Sequence, residues 1–285
     1  FKMTRKVAVV TGANKGIGLA IVKKLCVEFP GIVYLTSRDV ARGQDAVNLL
    51  KKEGLNPEYH QLDIDNMESI LKFRDYIRDV HGGLDCLVNN AAIAFKVAST
   101  EPFENQAEET IRVNYFGTLN NCNILFPLLR PHARVVNVSS SAGFLGRIPS
   151  GDLKNQFSSS KLTIEQLSNL MKAFVIAAKE NTMEKEGWPN SCYSVSKVGV
   201  SALTRIQQKE FERGPIKDIV INHVHPGYVD TDMTSHKGPL TIEQGAVAPT
   251  YAALLPPGIE KPRGDYIWYD KQIVDWVNGP LPSKY

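Results

Sequence analysis

The chain has 285 residues, 43% of them hydrophobic, which is enough for a sizeable core and excludes a disordered or collagen-like chain. Its 33 basic and 30 acidic residues leave a formal charge of +3 with no basic block, which excludes a nucleic-acid or membrane-surface role carried by charge. The four cysteines (Cys26, Cys86, Cys122, Cys192) are far apart, without a CxxC or a histidine cluster, so they suggest neither a metal site nor a disulfide framework and fit reduced thiols in a cytoplasmic protein.

At the start of the chain, FKMTRK is too short and too charged to read as a signal peptide, and Phe1 and Lys2 ahead of Met3 have the look of an expression remnant. No apolar run approaches the roughly 18 residues of a membrane span. Short β-branched runs then alternate with longer amphipathic stretches. Strands are expected at VAVVT (7 to 11), IVYLTS (32 to 37), YHQLD (59 to 63), DCLVN (85 to 89) and RVVNVS (134 to 139), with helices at about 17 to 29, 39 to 53, 67 to 80 and 103 to 130. RDVHGG (78 to 83) reads as a helix end with its glycine cap. A sixth strand, DIVINHVHP, and a seventh, DYIWY, follow, separated by a helix from near Tyr193 and another around 242 to 255. The expectation is an α/β fold: one Rossmann-type, doubly wound parallel sheet with helices on both faces, in a single domain spanning 1 to 285. From about Gly151 to Gly187 the rhythm breaks. A polar opening, SGDLKNQFSSS, precedes a long helical stretch in which Leu167, Leu170, Met171, Phe174 and Ile176 lie near helical spacing, an insertion that needs a surface to cover.

The first strand runs into TGANKGIG (11 to 18), and a helix begins at Ile17. Gly12, Gly16 and Gly18 allow a tight turn and bring a phosphate to N–H groups at a helix N-terminus. That strand-turn-helix context points to a dinucleotide. Some 20 residues on, where an NAD enzyme places a carboxylate on the ribose, the chain has Thr36, Ser37 and Arg38. A guanidinium and a hydroxyl suit a 2′-phosphate, and Lys15 adds a second cation, so NADPH is favoured over NADH despite Asp39 next door.

Tyr193 and Lys197 stand at i and i+4, sharing one helix face, where an ammonium is expected to lower the pKa of the phenol and make it a usable proton donor. Ser139, Ser140 and Ser141 lie just past the fifth strand, at the end of the sheet where open α/β folds bind ligands. Asn114, in VNYFGT, interrupts a helical segment with an amide that can free a carbonyl or hold water.

TGANKGIG, NNAA (89 to 92), NYFG, VNVSSSAG, the Tyr193–Lys197 pair and PGYVDTDM (226 to 233) together resemble the short-chain dehydrogenase/reductase family over essentially the whole chain. The resemblance implies that Ser140 and Tyr193 hold a carbonyl oxygen, that Tyr193 donates the proton, that Lys197 lowers its pKa and binds the nicotinamide ribose, and that Asn114 supports a proton-relay water. It further implies cofactor contacts from Gly12, Asn14, Lys15, Gly16, Ile17, Gly18, Arg38, Asp63, Ile64, Asn90, Pro226, Gly227, Val229 and Thr231. Ala92 departs from the family's NNAG. So does the gap of 53 positions from Ser140 to Tyr193, about a dozen in most members. The long gap, NNAAIAFKV, EGWP and ALLPP resemble the monomeric carbonyl reductase branch, which implies a monomer whose insertion covers the usual dimer surface. The implied activity is NADPH-dependent reduction of ketones, aldehydes or quinones, without metal. The rival readings are an NAD(P)-linked dehydrogenase of a secondary alcohol and an idle NADPH-binding sensor. Ile93, Trp188, Tyr228 and Met233 are candidate substrate walls beside Ser140, whereas His223 and His225 read as structural and Cys192 as a buried, inert thiol.

Overall fold

The computed structural model describes residues 5–282, so the reading of Phe1 and Lys2 lies outside the described residues. The first half runs β1 (Lys6–Val10), α1 (Gly16–Glu28), β2 (Gly31–Ser37), α2 (Val40–Lys52), β3 (Glu58–Gln61), α3 (Met67–His81), β4 (Leu84–Asn89). The second runs α4 (Phe103–Ile111), α5 (Thr118–Leu125), β5 (Leu129–Val138), α6 (Gly151–Ser158), α7 (Ile164–Glu180), α8 (Cys192–Arg213), β6 (Val220–Val224), α9 (Ile242–Gly245), α10 (Val247–Ala253), β7 (Tyr266–Ile267) and β8 (Ile273–Val274). One sheet takes the order β3-β2-β1-β4-β5-β6-β7-β8, parallel except for β8.

Period two along β1 explains the two covered faces. Ala8 and Val10 pack with Ile21 and Leu25 of α1 and Val47 and Leu50 of α2. Val7 and Val9 face Ile70, Phe73 and Ile77 of α3 and Leu125 of α5. The chain order reverses at β1, which pairs with β2 on one side and β4 on the other. The connections that leave the carboxyl ends of β1 and β4 therefore diverge, and there such sheets take a ligand in a crevice.

The helix expected around 242 to 255 is divided at Ala246 into α9 and α10, and three other elements differ more from the sequence expectation. The helix expected over 103 to 130 is broken by a π-turn at Arg112–Gly117 that contains Asn114, and it ends in a 3-10 turn at Phe126–Leu128 where Pro127 stops it. The polar opening of the insertion is itself helical: Ser150 caps α6, whose Leu153 and Phe157 are buried four residues apart. The strand expected at 265 to 269 shrinks to Tyr266–Ile267, and β8 turns back along it to cover the sheet edge.

The insertion closes on the body of the protein. Thr163 and Gln166 form a capping box at the start of α7. Leu167, Met171 and Phe174 are buried against Ala107 and Ile111 of α4 and Val195 and Val198 of α8. Ile176 is not on that face, being 54% exposed, and Ala177 and Ala178 occupy it instead. Phe174 meets Trp188 and Phe103 edge-on, with centroids at 5.5 and 6.4 Å. Phe174→Ala is expected to cost about 3–5 kcal/mol in urea unfolding, because the packed helices around it cannot collapse into the space. A loss below about 1 kcal/mol, the range of surface changes, would show that the insertion is not part of this core.

Candidate active site

The crevice is floored by the glycine turn between β1 and α1. Gly12 has φ 61°, and a Cβ there would lie 2.8 Å from Ala91 Cα, so only glycine lets this turn pass under the β4 loop. Thr11 Oγ1 accepts the N–H groups of Asn90 and Ala91, both at 3.0 Å. Asn90 Nδ2 donates to the carbonyls of Thr11 and Gly12. The Asn90 amide thus braces the turn. At the start of α1, Lys15 occupies the cap position without a side-chain cap, leaving the N–H groups of the first turn, where Ile17 and Gly18 lie, without a side-chain acceptor. Such a terminus, with Gly16 and Asn14 beside it, suits a phosphate.

At the end of β2, Arg38 is exposed and has no ion pair among the described residues. Asp39 is turned to another task, since its carboxylate caps α2 by accepting from Arg42 N–H at 2.9 Å. Arg42, one turn beyond Arg38, is a further cation that the sequence reading passed over. Lys15 does not stand free beside Arg38 as expected. It forms an ion pair with Asp232, about 60% exposed on both sides, because the 230 to 236 loop folds back over the crevice. Lys96 joins the same loop through the Asp232 carbonyl and Ser235 Oγ. On the adenine side, Asp63 accepts from Asp65 N–H, and Ile64 is buried against α3. Gly227 (φ 91°) follows the buried Pro226 past β6. Val229 is 1% exposed and turned inward, and Thr231 faces Gly16 across the crevice.

Beyond the carboxyl end of β5 the serines separate by role. Ser139 Oγ is tied to Ser201 Oγ at 2.8 Å and to the Lys197 carbonyl. Ser140 Oγ accepts from Ala142 N–H at 3.2 Å and lies near enough to the Tyr193 phenol to favour its ionised form. A Cβ on Gly143 would lie 2.3 Å from Ser139 Oγ, so glycine is what lets this turn lie on α8. Ser191 caps α8 and places Tyr193 in its first turn, with Lys197 one turn on. Lys197 Nζ donates to the Val138 carbonyl at 2.8 Å and lies 5.7 Å from the Tyr193 ring centre.

The lowering of the Tyr193 pKa expected from Lys197 is opposed by desolvation. Desolvation pushes the phenol up to about 12, with the Ser140 hydroxyl pulling the other way. Lys197, also buried, is pushed down to about 8. The cost of desolvating phenolate outweighs the help that the Ser140 hydroxyl gives it. Tyr193 is consequently an O–H at neutral pH, the form a proton donor needs.

Asn114 is 1% exposed and its side chain is fully engaged, Oδ1 by Ile93 N–H at 2.8 Å and Nδ2 by the Ile93 carbonyl and Ser196 Oγ. It fixes the loop that carries Ile93, so a water at Asn114 would have to use its main-chain carbonyl. Tyr228 and Met233, at 42% and 39% exposed, are available on the loop after β6. Trp188 is not a wall of the crevice: it is 4% exposed, with its ring edge-on to Phe157 and Phe174 in the core of the insertion. Burial pushes the Cys192 thiol up to about 12, which leaves it inert. Among the described residues no group of three or more His, Cys, Asp or Glu side chains could hold a metal ion.

A family model described as short chain dehydrogenase matches residues 6–179 and 157–239. Carbonyl reductase (NADPH) 1 of Rattus norvegicus is 48% identical over 274 residues, covering 95% of this chain and 99% of the relative. Carbonyl reductase (NADPH) 3 of Homo sapiens is 49% identical over 273 residues, covering 95% and 98%. Salutaridine reductase from Papaver somniferum superposes with a TM-score of 0.84 at 33% identity, over 93% of this chain and all of its own. With β1 leading into the glycine turn, the serine turn past β5, and Tyr193 and Lys197 on α8, this chain belongs to the short-chain dehydrogenase family.

Proposed function

We propose that the protein is an NADPH-dependent carbonyl reductase, converting ketones, aldehydes or quinones to the corresponding alcohols as one catalytic unit over residues 1–285. The observation that carries the reading is the convergence of the Ser140 hydroxyl and a protonated Tyr193 phenol beside the buried Lys197. The names of the relatives and the exposed Arg38 at the end of β2 support the cofactor assignment.

When bound, NADPH supplies the hydride that reduces the carbonyl carbon. The glycine turn and the first N–H groups of α1 would hold its phosphates, with Arg38 and Lys15 at the 2′-phosphate. Ser140 and Tyr193 bind the substrate oxygen, and Tyr193 gives up its proton as negative charge develops there. The ammonium of Lys197 stabilises the phenolate that remains, and protons return through water at the Asn114 main chain. Ile93, Tyr228 and Met233 are proposed to shape the substrate side. Among the described residues no helix is long and apolar enough to cross a membrane, and a cytoplasmic home is part of the proposal. The cover that α7 places on α4 and α8 supports a monomer, which light scattering at micromolar concentration tests.

The direct test is NADPH oxidation followed by absorbance against quinones, aromatic aldehydes and ketosteroids, with NADH in parallel. Turnover with NADPH is expected. Measurable NADPH binding with no turnover on any of them would leave the sensor reading standing. The pH dependence has a definite sign: kcat/KM is expected to fall as pH rises through about 8, where Lys197 loses its proton. Stability should move the other way. Because the pKa of Lys197 is lowered from 10.5, the unfolded chain holds a proton that the native site has released between about 8 and 10.5, so this group's contribution to stability rises with pH across that window. An alkaline limb absent from the rate profile would remove the ammonium from the mechanism.

A further inference from the structure

The peptide group that joins Ser140 to Ser141 has two polar ends, and a side chain from outside the turn grips each. The Tyr266 phenol donates to the Ser140 carbonyl at 2.5 Å, and the Ser141 N–H donates to His225 Nδ1 at 2.9 Å. The β5–β6 ladder has ended by this point, its last pair being Val138 with Val224, so the sheet no longer positions this peptide. We propose that Tyr266 and His225 are positioning residues that aim the Ser140 hydroxyl by clamping this one peptide plane, an inference that rests on reading Ser140 as the group that binds the substrate oxygen.

A peptide group is planar, so holding its oxygen and its N–H from different elements fixes ψ of Ser140, here 163°, and with it the direction of Cα–Cβ relative to the plane. Oγ then has one rotation left, about Cα–Cβ, and its bond to Ala142 N–H sets that. The clamp is itself braced. Tyr266 is 1% exposed, stacked on the His223 ring at 4.8 Å and 8°, with Trp268 edge-on at 5.8 Å. His225 is 2% exposed, its ring 4.2 Å from that of Trp268. Trp276 Nε1–H holds the Gly143 carbonyl at the far end of the same turn. His225 Nδ1 also receives the Gly227 N–H at 3.4 Å, which links the serine turn to the segment after β6 that we assign to the cofactor. Accepting from two N–H groups requires a bare Nδ1, and so the neutral ring with its proton on Nε2. Burial pushes the Tyr266 pKa far up, which keeps its O–H as the donor.

Tyr266→Phe removes one oxygen and keeps the ring. It is expected to lower kcat about 10-fold, because small misplacements of a catalytic group are amplified in rate, with KM and NADPH affinity little changed. His225→Asn keeps an acceptor oxygen near the place of Nδ1 and should retain most of kcat, whereas His225→Leu should fall at least as far as Tyr266→Phe. Ser140→Ala and thermal unfolding midpoints are measured alongside. An inactive Ser140→Ala with wild-type kcat in Tyr266→Phe overturns the clamp, as does a His225→Asn variant as slow as His225→Leu. Losses of kcat that follow falling NADPH affinity and thermal midpoint also overturn it, because they describe general loosening. An unaffected Ser140→Ala instead defeats the reading of Ser140 and takes the clamp with it. Tyr266→Phe is nearly isosteric and carries the test even should His225→Leu not fold.

Discussion

Tyr193→Phe is expected to lower kcat by about 10³-fold, within the 10²–10⁴ range of a well-placed general acid, and to leave NADPH binding nearly intact. The change deletes the hydroxyl and keeps the ring that fills the first turn of α8. Lys197 keeps its hydrogen bond to the Val138 carbonyl, so the cleft wall should not move. What is lost is the proton that the mechanism delivers to the substrate oxygen. Tyr193 holds it at neutral pH because desolvation pushes its pKa up to about 12, and the substrate oxygen would otherwise have to take a proton from water, a far weaker acid than a positioned phenol beside an ammonium. Steady-state kinetics with one good carbonyl substrate, together with a fluorescence titration of NADPH, checks both halves. Turnover near that of the wild type would remove Tyr193 from the mechanism, and equal losses of turnover and binding would make it a structural residue of α8.

The parts of this site readable in the sequence are those in which a local pattern carries the physics. A glycine turn between a strand and a helix states its own conformation, and Tyr193 and Lys197 declare a shared face by spacing alone. The order of strands and helices follows from hydrophobic period, and so does the buried stripe of α7. Other features leave no local trace. Two residues each of β7 and β8 are too few to show alternation, and α6 offers only Leu153 and Phe157 as a sign of its buried side. A π-turn differs from an α-turn by one residue in hydrogen-bond reach, which the apolar spacing around Asn114 does not encode. Burial belongs to the assembled fold, so charge spacing leaves out the desolvation that raises the pKa of Tyr193, and residue character placed Trp188 in the crevice when neighbouring rings hold it in the core. The Lys15–Asp232 pair and the grip of Tyr266 on Ser140 join residues 217 and 126 positions apart, beyond the reach of any motif.

Arg38→Ala is expected to weaken NADPH binding by about 10- to 100-fold and to leave NADH binding almost unchanged, since a charge-assisted hydrogen bond contributes about 1.5–3 kcal/mol and each 1.4 kcal/mol is a factor of ten. The direction follows from what surrounds the guanidinium. Asp39, the one carboxylate next to it in sequence, is occupied in capping α2 and pairing with Arg42, so Arg38 meets an incoming phosphate without first breaking an ion pair among the described residues. Lys15 is placed differently. To reach the same phosphate it must leave Asp232, although an exposed pair of this kind contributes little and exchanges readily. Lys15→Ala should therefore weaken NADPH binding less than Arg38→Ala does, and Asp232→Asn should strengthen it slightly by freeing Lys15. Dissociation constants for NADPH and NADH, measured at one fixed ionic strength, decide the matter. Equal losses for both cofactors in Arg38→Ala would mean that the guanidinium supports the shared part of the dinucleotide, and the discrimination would then have to come from Lys15 or Arg42.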